Sequence, residues 1–433
     1  MTTAAPRPGG IALPALVAFA VGLALRLGLL AASPLNFSFD GFQRWAGREH
    51  LLVQSWLPAT QAIIASVAAL GGDLSDVRLA LALVASGASG AAAVVAGQLG
   101  GRRAAWAAVV PAVYGPSLLW GTALYQEGTF LLLLFGGLAL ALAGRTFAAD
   151  LVFGALALVR YEGWPCVLLY LAWRRDPRAF AVLWGAGLWL VLRGGLGIEG
   201  HAASPMDFDD WERLGDRVTP ASFARDAGRL SEMAWGTGAV TFAVAGACGA
   251  WAAWARRGVP LLAAVGVSQV AAVGGWLAGL EVATSRMLVL PAQIAGVLGA
   301  VGVAVLWHRL PRWGRPAVVA GGAALCVLGV VHAWAGLAIE DRAFAPERAV
   351  RDAMALRPGC DWVIVPRTRL GTRARHDGCE VVQGLGAPRH GDGFWCAAWG
   401  PTPPSNRACV VTATWGEGTY VLSETVGGAG AER

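Results

Sequence analysis

Charge is what this chain has least of. Only 14% of its 433 residues are Asp, Glu, Lys or Arg, while 56% are hydrophobic. At a mean hydropathy of +0.54, it carries more apolar side chain than a soluble fold could hide from water, so a soluble globular protein is excluded. Other absences narrow the class further. The net charge of +6 is not gathered into a basic stripe, so no nucleic-acid partner is implied. The cysteines lack the close paired spacings of a zinc site. The two halves show no internal repeat of the kind many transporters carry.

What is abundant points the same way. Gly (59 residues) and Ala crowd the apolar runs, as expected where helices approach closely inside a membrane. The 20 Trp supply anchors at the membrane–water interface. The pattern is that of a polytopic α-helical membrane protein. Its arginines stand in short clusters between apolar runs, at Arg102-Arg103, Arg145, Arg174 to Arg178, Arg256-Arg257 and Arg309 to Arg315. The positive-inside rule puts all of them in the cytoplasm.

That rule sets the path of the chain. The run Ile11 to Ala32 is long enough to span, and its length together with Arg26 argues against a cleaved signal peptide. It carries the chain from a cytoplasmic N-terminus to the outside. A first external loop follows over 33–78, in which Trp56 to Leu70 reads as a membrane-lying helix. The later runs alternate: Leu79 to Leu99, Ala104 to Thr122, Phe130 to Ala143, Ala148 to Tyr161, Trp164 to Trp173 and Phe180 to Leu196. After an outer loop over 199–233 come Trp235 to Ala255, Val259 to Leu280, Met287 to Trp307 and Ala317 to Ile339. The sum is about eleven transmembrane helices over 1–339. Several of them are short, which is tolerable where they line a cleft.

Residues 340–433 change character. The tail is polar, and Asp361 to Pro366 and Cys409 to Thr414 read as strands between Gly/Pro turns. It holds Cys360, Cys379, Cys396 and Cys409, an even set in a loop-rich segment, which predicts disulfides of open pairing and an oxidising compartment. The expectation is a small, β-rich, extracytoplasmic (periplasmic) C-terminal domain on a protein of the inner or plasma membrane.

Ionisable groups beside apolar runs are costly and are candidates for function. On this path Asp40, Arg44, Glu127, Arg160, Glu162, Glu281 and Arg286 fall at the outer ends of spans, with Glu49 nearby. Asp40, in Phe37-Ser38-Phe39-Asp40-Gly41-Phe42, reads as a catalytic base, with a helix N-cap as the alternative. Glu127 stands where a helix dipole favours an anion in any case. Arg160-Tyr161-Glu162 is either a local neutralised turn or a turn that offers a fork to a phosphate. Arg286 either snorkels to headgroups or joins Arg160 around an anionic substrate. Asp207, Asp209 and Asp210 would suit a divalent metal, but a solvated charged helix is the commoner explanation. No cofactor is assigned with certainty, and a divalent metal is an option that is not favoured.

These residues, in this order, resemble the integral-membrane glycosyltransferases of the GT-C fold, in particular the bacterial family 39-like and mannosyltransferase-like members. The matching stretches are Asp40 with Trp45-Ala46 and Trp56-Leu57-Pro58, and Gly101-Arg102-Arg103-Ala104-Ala105-Trp106-Ala107-Ala108 leading through Pro111 to Gln126-Glu127. Two more are Leu156-Ala157-Leu158-Val159-Arg160-Tyr161-Glu162-Gly163-Trp164 and Ser285-Arg286-Met287-Leu288-Val289-Leu290-Pro291. The resemblance implies transfer of a hexosyl, mannosyl or aminoarabinosyl-like sugar from a polyprenyl-phosphate donor to a lipid, glycan or protein acceptor on the outer face. By that resemblance Asp40 deprotonates the acceptor hydroxyl and Arg160 and Arg286 neutralise the leaving phosphate. Glu127, Arg44 and Glu162 help bind donor or acceptor. Asp40 stands alone in its stretch rather than in an acidic pair, which speaks against a metal-dependent version. A transporter or flippase of a lipid-linked or small anionic substrate is the reading from another class.

Overall fold

The computed structural model describes residues 9–33, 44, 48, 57–195, 219–279 and 284–343, together with six strands between 364 and 426. Five of its helices are long and apolar enough to cross a membrane: Gly10–Ala32, Leu74–Gly100, Val259–Leu277, Ser285–Leu306 and Gly314–Ile339. A sixth results if Pro220–Gly236 and Ala239–Ala253, bent by 78° at their junction, count as one span. The chain is a multi-pass, mainly helical membrane protein.

In chain order the helices are α1 (Gly9–Ala32), α2 (Pro58–Ala69), α3 (Leu74–Gly100), α4 (Arg102–Ala107), α5 (Val109–Ala112), α6 (Gly115–Trp120), α7 (Glu127–Leu142) and α8 (Thr146–Leu156). Then come α9 (Gly163–Arg174), α10 (Trp184–Gly195), α11 (Pro220–Gly236), α12 (Ala239–Ala253), α13 (Val259–Gly279), α14 (Val289–Leu306) and α15 (Gly314–Ala343). One 3-10 turn, Pro177–Leu183, leads into α10 and another, Ser285–Leu288, leads into α14. In the tail the strands β1 (Ile364–Val365), β4 (Trp395–Ala397), β5 (Arg407–Trp415) and β6 (Gly418–Val426) pair in that order, and β2 (Ala374–His376) pairs with β3 (Cys379–Val381).

The core sits around α14, whose span is 78% buried, and α3, at 56%. Small residues make this possible. A Cβ added at Gly246 of α12 would lie 2.8 Å from Ala295 Cα of α14, and Gly249 meets the backbone at Leu298. Such contact between backbones is what holds helices together where lipid supplies no hydrophobic drive. By contrast, the spans of α1 and α15 are 22% and 11% buried, as suits helices at the edge of a bundle facing lipid.

The structure departs from the sequence reading at two of the expected spans. Ala104 to Thr122 reads as one span, yet the chain there forms three short helices, α4 to α6. Pro111 and Pro116 explain it, because each lacks an N–H and its ring clashes with the preceding turn. Tyr114, ahead of α6, is extended (φ −61°, ψ 121°). Side chains from elsewhere brace the carbonyls of this segment, of which Pro111 O and Ser117 O also accept from Tyr114 N and Gly121 N. Gln293 Nε2 donates to Pro111 O at 2.6 Å, Arg26 Nη2 to Ser117 O at 3.1 Å and Arg78 Nε to Thr122 O at 3.0 Å. The second departure is at Trp235 to Ala255. There the helix breaks at Gly238, which takes φ +78°, a conformation that glycine adopts without strain.

Candidate functional site

The loop after α6 turns back at Tyr125-Gln126 and delivers Glu127 as the first residue of α7. The loop between α8 and α9 delivers Arg160 and Glu162. It is tied down by Trp164 Nε1 donating to Ala157 O at 3.0 Å and by Ala59 N of α2 donating to Leu158 O at 2.9 Å. The turn ahead of α14 delivers Arg286. Its neighbour Ser285 accepts a hydrogen bond from Trp120 Nε1 at 3.1 Å, which fixes this turn against the end of α6. The chemistry is thus carried by segments far apart in sequence, each fixed by a bond to its surroundings.

Their side chains meet in one cluster. Glu127 Oε1 lies 2.5 Å from Arg160 Nη1 and 3.3 Å from Arg286 Nε. Arg160 reaches Glu162 with both arms, Nη2 to Oε1 at 2.5 Å and Nε to Oε2 at 3.2 Å. Trp276 Nε1 of α13 donates to Glu162 Oε1 at 2.9 Å, and Gln269 Nε2 donates to the Glu162 carbonyl at 3.2 Å. The Arg286 guanidinium lies 4.4 Å from the Tyr125 ring centroid, a cation–π contact.

Two cations and two carboxylates leave the four side chains close to neutral. Burial by itself would raise the Glu162 carboxyl, but the adjacent Arg160 charge and the Arg160 and Trp276 hydrogen bonds outweigh it, and the group is held down at about 2. Burial works against the Arg160 charge too. Glu162 and Glu127 prevail over burial and over the nearby Arg286, and Arg160 is held above its ordinary value. Within this balanced set one atom stands out. Glu127 Oε2 is buried and has no hydrogen-bond partner among the described residues. A bare carboxylate oxygen is costly to bury, and it has acceptor capacity that the cluster itself does not use. Glu127 lines a hollow of about 30 Å³ that also touches Arg160, Glu162, Trp276 and Arg286, room for about one water.

An apolar groove begins beside this hollow. Val273 and Pro291 line both. The groove, of about 510 Å³, runs between α12, α13 and α14, and Leu230 and Ala234 of α11 border it.

Of the residues expected from sequence, the structure brings together Glu127, Arg160, Glu162 and Arg286. Arg286 does not snorkel away; it turns onto Glu127. The Arg160–Glu162 pair is a neutralised turn, and it is joined to a larger cluster. Arg44 is buried at 1% exposure and its carbonyl accepts from Gln61 Nε2 of α2 at 3.0 Å, which ties it to α2. Asp40, Glu49, Glu281 and the acidic loop with Asp207, Asp209 and Asp210 lie outside the described residues. Cys360 does too, and the side chains of Cys379, Cys396 and Cys409 are likewise not described. Among the described residues no group of three His, Cys, Asp or Glu is placed to hold a metal.

Sequence reasoning missed Trp276, Gln269 and Tyr125. Trp276 and Gln269 sit in an apolar run that reads as lipid anchor and core, and only their contacts with Glu162 show otherwise. No known family pattern matches the chain, and no curated protein matches it.

Proposed function

We propose that this protein is a glycosyltransferase of GT-C type, which moves a sugar from a polyprenyl-phosphate donor to an acceptor hydroxyl on the extracytoplasmic face of the membrane. The observation that carries the reading is the Glu127 carboxylate, whose Oε1 is held by two arginines and whose Oε2 has no partner among the described residues, beside an apolar groove. The chemistry of the donor matches that set. Its phosphate is an anion suited to guanidinium forks, its sugar offers hydroxyls to a carboxylate oxygen, and its lipid needs an apolar path. In this reading Glu127 orients a sugar or acceptor hydroxyl. A phosphate arriving at Arg286 and Arg160 competes with Glu127 for them, so donor binding and the exposure of the Glu127 carboxylate are linked. Asp40 is the proposed base. The finer architecture belongs to the same proposal: about eleven spans, a cytoplasmic N-terminus, α2 lying along the membrane, and a disulfide-bearing outer domain over 340–433. The α2 helix is about 18 Å long at 1.5 Å per residue, too short to cross the hydrocarbon core, which supports that placement.

The test is transfer of labelled sugar in membranes, from a panel of polyprenyl-phosphate sugars, with wild type beside Asp40→Asn at matched expression. Transfer by wild type and loss of about 10²-fold or more in the variant supports Asp40 as base. Full activity in the variant removes Asp40 from that role. One observation favours the transporter reading: the three-piece segment α4 to α6 and the bend at Gly238 are broken helices of the sort transporters use. A wild type that transfers no sugar from any donor, yet moves a labelled lipid-linked sugar across vesicles, would establish it instead.

A further inference from the structure

A second cavity lies apart from the charged cluster, between α4–α5, α12, α14 and α15. Its volume is about 1070 Å³, and its walls are almost wholly apolar. Arg103 and Trp307 line one end. From Trp307 the cavity follows α14 back to Gly296, about 16 Å at 1.5 Å per residue. That is roughly half of a hydrocarbon core of about 30 Å, so the cavity has the depth of a single leaflet. Trp106 and Val319, at its edge, are 39% and 62% exposed, which leaves it open sideways to lipid.

The arginine end is charged in one direction only. The segments that build the cavity, 102–112, 239–258 and 289–328, contain Arg102, Arg103, Arg256, Arg257, Arg309, Arg312 and Arg315 and no Asp or Glu. Arg103 Nη1 donates to His308 Nε2 at 2.5 Å. The Arg315 guanidinium lies 5.9 Å from the Trp307 ring centroid, and its Nε is buried with no hydrogen-bond partner among the described residues. Arg103 therefore lines the cavity with Trp307, and Arg315 lies against the same tryptophan, the first with a partner that carries no carboxylate, the second with a donor that has no partner among the described residues. The chain contains no lysine, so every cation here is a planar fork suited to phosphate oxygens.

We infer that this cavity binds one anionic glycerophospholipid from the leaflet on the arginine side, with an acyl chain between α14 and α15 and the phosphate at Arg103 and Arg315. Both halves of the site are needed. A cationic rim alone follows from the positive-inside rule, and an apolar wall alone is ordinary lipid-facing surface. What is specific is a cleft of one leaflet's depth ending at unopposed guanidinium groups with two tryptophans at headgroup level.

The experiment is native mass spectrometry of the full chain released from detergent, supplied with phosphatidylglycerol or with phosphatidylcholine of identical acyl chains. Gly321→Phe fills the cavity: Gly321 lines it, and an added Cβ there meets nothing within 4 Å, so the helix packing is undisturbed. Arg103→Ala and Arg315→Ala remove the rim, and Arg103→Lys keeps the charge but loses the fork. Wild type is expected to retain one phosphatidylglycerol in preference to phosphatidylcholine. Each arginine-to-alanine change lowers that retention about fivefold, Gly321→Phe lowers it about tenfold or more, and Arg103→Lys restores part of it. Unchanged retention in Gly321→Phe would show attraction to surface charge alone and would overturn the site. So would equal retention of the two lipids by wild type, or a second copy of the chain in place of the lipid.

Discussion

Two sets of arginines in this molecule, one half-buried and one buried, are neutralised in different ways. Arg160 and Arg286 face carboxylates, Glu127 and Glu162. Arg26, fully buried in α1, donates to Gly22 O, Ser86 Oγ, Ser117 O and Ser117 Oγ, and has no carboxylate partner among the described residues. Glycine makes its slot. A Cβ at Gly22 would come within 2.8 Å of Arg26 Nη1, and one at Gly121 within 2.7 Å of Nε. This guanidinium spends its Nη donors in bracing a broken helix, its Nε has no hydrogen-bond partner among the described residues, and nothing in that set can take up a proton. The carboxylate cluster has an oxygen to spare. The two sets also depend on each other, since Arg26 and Arg78 fix the segment 115–122 from which the loop to Glu127 starts.

The largest effect should come from Glu127→Gln. The amide keeps the volume and one acceptor for the arginines but removes the carboxylate charge. Sugar transfer is expected to fall about a hundredfold, while elution from a sizing column stays that of wild type. Undiminished transfer would take Glu127 out of the site. Arg26→Met should do the opposite. It removes the guanidinium bonds to Gly22 O, Ser86 Oγ and Ser117, whose carbonyl keeps the Gly121 N–H, at a cost of about 1–3 kcal/mol in all, read as a lower Tm in detergent. Transfer by the protein that remains folded is expected to change less than tenfold. A loss of activity as deep as that of Glu127→Gln, with Tm unchanged, would erase the distinction between brace and site.

How much of this could be read beforehand follows the same division. The residues Glu127, Arg160, Glu162 and Arg286 were legible because each is an ionisable group beside an apolar run, where water is scarce and a charge needs a reason. The Arg160–Glu162 pairing was legible as a neutralised turn, but the joining of Glu127 and Arg286 to it was not, because it depends on which span ends meet. The brace was half legible. Arg26 is conspicuous in α1, but its partners are mainly carbonyls, which every residue has and no sequence pattern marks. The break itself was written in Pro111 and Pro116, yet the mean hydropathy of Ala104 to Thr122 hid it. Trp276 and Gln269 were invisible for the converse reason: their apolar surroundings are those of any span.

The acidity of Glu162 sharpens the comparison further. Its carboxyl is held at about 2, below the ordinary carboxylate value of about 4.3. A depressed value means that the charge contributes stability fully above the ordinary value and loses it as pH falls toward about 2. The difference in Tm between wild type and Glu162→Gln should therefore stay constant from neutral pH to about pH 5 and shrink only below about 4.3. A difference that already fades near pH 6 would mean that Arg160 does not hold this carboxylate as the geometry implies.

Trp276→Phe is the smallest change and the most discriminating. Phe keeps the ring against the cluster and removes only the donor to Glu162 Oε1, so the loss in stability should be about 1 kcal/mol. That donor is also one of the bonds that lower the Glu162 carboxyl. In a Trp276→Phe background the Glu162→Gln difference should be smaller at neutral pH and should finish shrinking at a higher pH than in wild type, with the onset unchanged at about 4.3. The same measurement on Arg26→Met should show no such movement, because no carboxylate among the described residues faces that arginine. A shift in the Arg26 variant as large as that in the Trp276 variant would mean that the brace and the cluster titrate as one unit, with the broken helix transmitting charge as well as position.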